Sequence, residues 1–230
     1  MNNLKVNKDN KVGQRLSQWG ARAEVNTDNF LISKILPMQP TSTLVKDGKA
    51  VFGELRDSTT GELLAPVGKS LEFIPIELKE EWLVSELVGK SWEFKETIPY
   101  NNSNKSLPKE ETVNGVQVKR VHSMEFYVLL LNDLVKGIDF PKTISFRSTS
   151  LRAGKVLYTQ AYVLNPRQWL PPAGMVMSLS TKRVDGDNGS YMVMEVAPVE
   201  KTESSYVESA EKWYDLVRVG KAKVDDREEA

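Results

Sequence analysis

Cysteine is absent from this chain of 230 residues. Disulfides and thiolate metal sites are thereby excluded, and the composition fits a reducing cytoplasm. Histidine is nearly absent too: His122 stands alone. A zinc site needs several His or Cys ligands, and a Ser-His-Asp triad needs a carboxylate that places the imidazole. Nothing around His122 provides either. It falls in a strand candidate on the face of Met124 and Phe126, where a partly buried structural role is expected. No stretch approaches the ~20 apolar residues that span a bilayer. The longest apolar run, Phe126 to Leu131, has the length of a core strand. The first twenty residues lack the apolar core of a secretory signal, so a cytoplasmic protein without a membrane partner is expected. No GxxxxGK[ST] or GxGxxG motif occurs, leaving nucleotide hydrolysis and dinucleotide redox chemistry unsupported. No cofactor and no catalytic constellation are expected. Asp133 and Asp139, flanking a glycine turn, supply half of a Mg²⁺ site and form the enzymatic alternative.

The most telling absence is local. From Pro141 to Val184 there is no Asp or Glu, yet Lys142, Arg147, Arg152, Lys155, Arg167, Lys182 and Arg183 all lie there. The whole chain is neutral because charge is sorted along it: residues 1–35 carry +3, 36–140 −4, 141–184 +7 and 185–230 −6. A basic surface followed by an acidic end, Asp225-Asp226-Arg227-Glu228-Glu229, points to an anionic partner and a device that competes for the same surface. The end has three readings: a segment that occupies the binding surface, a peptide that recruits partners, or a solubilising terminus.

Aromatic residues are interleaved with these bases: Phe140, Phe146, Tyr158, Tyr162 and Trp169. Single-stranded nucleic acid needs both kinds, cations for phosphates and flat side chains for bases, each stack being worth ~1–3 kcal/mol. Lys142 to Ser150 alternates, placing Thr143, Ser145, Arg147 and Thr149 on one face and Ile144 and Phe146 on the other. Arg147 then faces solvent or ligand and Phe146 the core. Arg152 and Lys155, three apart, share one side of a turn or helix. Trp169, beside Pro171 and Pro172, is the aromatic most expected to be exposed, with Tyr158 as a second stacking surface. The phosphate-binding set is Lys142, Arg147, Arg152, Lys155, Arg167, Lys182 and Arg183. The bland alternative is a solvated basic face over ordinary core aromatics.

Turn signals divide the rest. Residues 1–36 form a polar arm carrying Trp19, with a short ordered piece near Phe30 to Leu36. A β-rich domain over 37–200 is expected, then a C-terminal helix over 201–223 and an acidic tail over 224–230. Asp47-Gly48, Thr59 to Glu62, Asn114-Gly115 and Asp185 to Gly189 read as turns between strands. The last resembles a calcium loop but has Val196 where an acidic twelfth ligand belongs. Pro75 places its strand at an edge or at a bulge. Lys90 to Ile98 puts Trp92, Phe94, Glu96 and Ile98 on one face. Trp82, Trp92 and Trp213 fit core positions. Leu151–Leu164 reads as a helix, weakened by Gly154. In the C-terminal helix, Ser205 and Glu208 form a capping box and Tyr206, Ala210, Trp213 and Val217 one apolar stripe. The fold class is mainly β with additions, an OB-like small barrel plus the C-terminal helix.

Several segments together resemble a group of small tailed-bacteriophage proteins: Phe52 to Leu64, Leu71 to Ile76, Phe146 to Lys155, and Leu179 to Thr181 before a strand ending at Val196. The resemblance covers roughly Ile35 to Val199. It implies single-stranded DNA binding through an OB-like barrel, in replication or recombination within the host cytoplasm, with replication or recombination proteins as partners. It also implies that Arg147, Arg152 and Lys155 belong to the functional surface. The competing expectation is a phage structural or assembly protein that forms a homo-oligomer.

Overall fold

The computed structural model describes residues 31–164, 174–187 and 189–218, and the backbone of 223–224. Its centre is a pair of long antiparallel strands, β5 (Leu71–Val88) and β8 (Val116–Leu130), hydrogen-bonded from Phe73↔Leu130 to Glu86↔Val118. Each is long enough to serve two neighbours on its outer side. At one end β5 pairs with β10 (Met175–Gly186), and β10 with β11 (Gly189–Lys201), while β8 pairs with β9 (Lys142–Arg147). At the other end β5 pairs with β6 (Ser91–Pro99) and β8 with β7 (Glu110–Val113). The seven strands curl into a half-barrel, and the protein is mainly β.

A small sheet completes the wall: β2 (Ile35–Pro37), β3 (Leu55–Asp57) and β4 (Leu63–Ala65). It joins β9 through a parallel bridge, Lys34↔Thr143. Towards the other edge, the Gln39 amide both donates to the Met192 carbonyl and accepts its N–H, and Thr181 Oγ donates to the Gly53 carbonyl. Inside lie Phe73, Met124, Phe126, Ile144, Phe146, Met177 and Leu179, closed by α3 (Leu151–Tyr158) through Ala153 and Leu157. The Leu151–Leu164 helix expectation holds with one change: after Tyr158 the backbone widens into a π turn over Thr159–Val163.

Even-numbered residues of β8 face this core, so its odd-numbered residues face outward. There Tyr127 and Leu129, with Ile74 and Ile76, are covered by α4 (Ser204–Arg218) through Ala210, Trp213 and Val217. That stripe is the one read from sequence. The capping box is not formed as expected: α4 starts at Ser204, and the N–H groups of Tyr206 and Val207 bond the Glu203 carbonyl. Ser205 is thus already inside the first turn.

Pro75 does mark a bulge, since the β5–β8 register shifts between Pro75 and Glu77. It is not on an edge strand. The β10 partner stops at Phe73 and the β6 partner begins at Glu81, so β5 has an open side where proline lacks its N–H. The bulge also reverses parity: Phe73 and Leu78 both reach the barrel core, while Ile74 and Ile76 face α4.

Two further expectations are corrected. Asp47-Gly48 is no hairpin. It terminates a short helix, α1 (Thr43–Lys46), with Gly48 at φ +70° and the N–H groups of Lys49 and Ala50 returning to the Leu44 carbonyl. Asp-Gly supplies positive φ to a helix end as readily as to a hairpin. Trp92 is not core, being 40% exposed. Asn114-Gly115 is the hairpin expected, both residues at positive φ. Among the described residues no helix is long and apolar enough to cross a membrane. The first two-residue strand, β1 (Leu31–Ile32), pairs in parallel with β12 (Lys223–Val224), which brings the two ends of the described chain together. Between β8 and β9 lies α2 (Leu131–Val135).

Candidate functional site

Beyond Tyr127 the outward face of β8 leaves the cover of α4 and turns polar. Its next odd-numbered residues are Glu125 and Ser123. Register sets Lys79 and Ser145 opposite Glu125, and Glu81 and Arg147 opposite Ser123. A groove of about 470 Å³ opens here, its lining including Lys34, Glu81, Ser123, Glu125, Ser145 and Arg147. Gln39, Thr41, Ser42, Thr43, Met192 and Met194 line it too, as do Leu83, Phe94 and Thr97.

Glu125 is buried, and Ser145 Oγ donates to it at 2.9 Å. Burial raises its pKa above the usual carboxylate value, against the opposing effects of Lys34 and the Ser145 hydrogen bond. Glu81 is also buried and is held by Lys79 at 2.9 Å. The floor therefore combines acceptors, hydroxyls and cations. Such a set can bind a ligand that carries both anionic groups and hydrogen-bond donors.

Beside this floor stand two exposed rings. Phe94 is 56% and Trp92 40% exposed. The sequence pattern placed them with Glu96 and Ile98, but the β5–β6 register slips between Val84↔Glu96 and Ser85↔Phe94, so Lys95 is an extra residue. Parity reverses there. Ile98 joins Trp82 and Val84 in a small cluster on one face, whereas Phe94 and Trp92 turn to the groove face, with Lys119 5.5 Å above the Trp92 ring. The consecutive charges Lys95-Glu96 in an alternating strand were the signal that betrays the bulge.

The expected binding residues scatter. Arg147 lines the groove. Arg152 and Lys155 are exposed on α3, just past the Ser148–Ser150 turn that leads out of β9. Tyr158 is exposed and stacks on Tyr162, centroids 5.3 Å apart. Lys182 and Arg183 belong to the β10–β11 hairpin, where Lys182 lies 3.5 Å from Glu195 and Arg183 donates to Asp185 and Ser190. Arg183 also sits over the Phe52 ring, at a second, shallower depression that includes Tyr191. Lys142 places its ammonium against the buried Asp57. Arg167, Trp169 and Trp19 lie outside the described residues.

His122 is partly buried as expected, stacked on Tyr100 at 4.0 Å and 3.4 Å from Glu80. Burial lowers its pKa, against the raising effect of Glu80. Asp139 pairs with Lys212, and among the described residues no three His, Asp or Glu side chains gather as a metal set. Asp185 closes a polar hairpin with Ser190 rather than a calcium loop.

No curated protein and no solved structure matches the chain. A family model does, over residues 18–223, which take in every strand and helix from β1 to α4: the chain belongs to the Pam3 phage gp34-like protein family, a family of bacteriophage proteins.

Proposed function

We propose that the protein binds single-stranded nucleic acid, DNA first, along the groove face of the β5–β8–β9 sheet. One observation carries this reading: two exposed rings, Phe94 and Trp92, share a face with Lys119 and Arg147. Rings that contribute nothing to the core are available to stack bases, and cations beside them neutralise phosphates. Arg152 and Lys155 stand on α3, which packs on the core side of the sheet, and are left out of this path. In this reading the half-barrel acts as an OB-like barrel, whose strands present ligand on an open face. The carboxylates of Glu81 and Glu125 oppose phosphate and so belong under bases, not under the backbone.

The test is fluorescence anisotropy of a labelled ~30-nucleotide single strand across a salt series, with a duplex control. Tight, salt-sensitive binding that favours the single strand supports the reading. No binding at low salt, by the full chain or by a chain ending at Val224, overturns it. That result would favour the assembly reading, in which β6, an edge strand among the described residues, presents Trp92 and Phe94 to another subunit, with Val88 beside them at the end of β5.

A further inference from the structure

The floor of the groove is rich in acceptors. Register sets Glu81 across from Ser123 on β8, and Glu125 follows two residues further along the same face. All three are buried and all three line the groove, Ser123 being 3% exposed. Each carboxylate is held through one oxygen: Ser145 Oγ donates to Glu125 Oε1, and Lys79 pairs with Glu81 Oε2. A carboxylate accepts up to about four hydrogen bonds, so both keep acceptor capacity. Among the described residues the Ser123 hydroxyl has no hydrogen-bond partner. Buried hydroxyls are normally paired, and this one stands between two carboxylates at the edge of a cavity, where a ligand completes it. Among the described residues no third carboxylate or histidine joins the pair, so a metal ion is not what it fits.

Carboxylates accept hydrogen bonds and repel anions, so the ligand brings donors to this floor. On the nucleic-acid reading, on which this inference rests, a base stacked on Phe94 turns its edge to the floor, since Phe94 lines the same groove. The bases differ in what that edge carries. Guanine has two adjacent donors, N1–H and the N2 amine, spaced like the two oxygens of a carboxylate, with the O6 acceptor beside them. Cytosine and adenine each offer one amine next to an acceptor nitrogen. Thymine offers a single N3–H between two carbonyls, which carboxylates repel. We infer that the groove floor selects guanine: Glu125 accepts N1–H and the N2 amine, Ser123 donates to O6, and Glu81 adds a second charge that disfavours thymine.

Anisotropy of the full chain with labelled ~30-nucleotide strands tests this. One strand is dT throughout, and the others carry dG, deoxyinosine, dC or dA at every third position in dT, a spacing that avoids guanine runs. The dG strand should bind about tenfold more tightly than dT, with deoxyinosine, which lacks the N2 amine, between them. The ratio should persist across the salt series, because contacts to base edges release no counterions. Glu125→Gln exchanges one acceptor for a donor and should bring the dG to dT ratio close to one, and Glu81→Gln should reduce it. The deoxyinosine strand needs no substitution, so the test stands even if a variant folds poorly. Equal affinity for all five strands would overturn the guanine inference and leave the single-strand reading in place. A dG preference that survives both substitutions would overturn it too. If no strand binds, titration with dGMP and dTMP separates the two ideas. Preferential binding of dGMP, lost in Glu125→Gln, keeps the guanine site and sinks the strand reading, whereas binding of neither nucleotide refutes both.

Discussion

Lys142, on β9, places its ammonium 2.5 Å from Asp57 at the end of β3, and Ser33 donates to the same carboxylate oxygen at 2.7 Å. The other oxygen accepts the N–H groups of Thr59 and Thr60. One carboxylate thus ties β9, the β1–β2 segment and the β3–β4 turn together. Burial alone would raise its pKa, but the hydrogen bonds from Lys142 and Ser33 overcome burial and hold it at about 2. Replacing Asp57 with Asn leaves the Lys142 ammonium without its counter-ion in a nearly closed site. The expected loss is about 3 kcal/mol by urea unfolding. The mirror variant Lys142→Met strands the carboxylate and should cost a comparable amount.

The same pair sets an acid limit. The folded pKa lies below the ordinary value of 3.8, so the stabilisation is complete above about pH 4 and disappears as pH falls through about 2. Across that window Asp57 accounts for about 2 kcal/mol. Unfolding free energies measured from pH 5 to 2 should fall more steeply for the parent chain than for Asp57→Asn. Parallel curves would mean that the ion pair contributes nothing.

Gly154 is a contact, not a flaw in α3. A Cβ built there would lie 2.7 Å from Phe146 Cβ and 3.0 Å from its Cγ. Alanine favours a helix over glycine by about 1 kcal/mol, yet Phe146 is fully buried and has little room to move. Overpacking wins, and Gly154→Ala should destabilise by about 1–3 kcal/mol. A raised melting temperature would show that α3 can lift off the sheet without cost.

Much of this fold was legible because period-two and helical patterns survive wherever one face is buried. Ile144 and Phe146 point inward as alternation demands, and Tyr206, Ala210, Trp213 and Val217 form the stripe that covers Tyr127 and Leu129. Legibility ended at the bulges. A single extra residue at Lys95 turned Trp92, a core candidate, and its face-mate Phe94 onto the groove face, where both rings are exposed. Nor could the excess of bases between Pro141 and Val184 show which of them are already paired. Lys142 is, because Asp57 lies far away in sequence and arrives only through the barrel wall. Glu81 and Glu125 went unread for the same reason: adjacent strands gather them on one face, and no local motif joins them.

Glu125 should cost stability at neutral pH. Its carboxyl is pushed above the ordinary value of 4.5 by burial, so the folded state favours the protonated form. That contribution is whole at pH below about 4.5 and shrinks as pH rises through the folded pKa. Glu125→Gln keeps an acceptor for the Ser145 hydroxyl and removes the buried charge. It should be more stable than the parent at pH 7 and equal it near pH 4 in urea unfolding. Equal stabilities at both pH values would show that Glu125 does not titrate in this range.

The groove assignment predicts a separation of binding from folding. Phe94 and Trp92 are exposed and lie outside the core clusters, so Phe94→Ala and Trp92→Ala should leave the melting temperature within a degree or two of the parent. Each should nevertheless weaken single-strand binding by about 1–3 kcal/mol, because a stacked base loses its platform. Arg147→Glu should act differently. It removes a phosphate contact, so affinity falls and the slope of log K against log salt shrinks by about 0.7. The aromatic variants should leave that slope unaltered, since stacking releases no counterions. If the alanine variants changed the slope, or if Arg147→Glu changed neither affinity nor slope, the rings and the guanidinium would not be contacting one strand, and the β5–β8–β9 face would have to be abandoned as the binding surface.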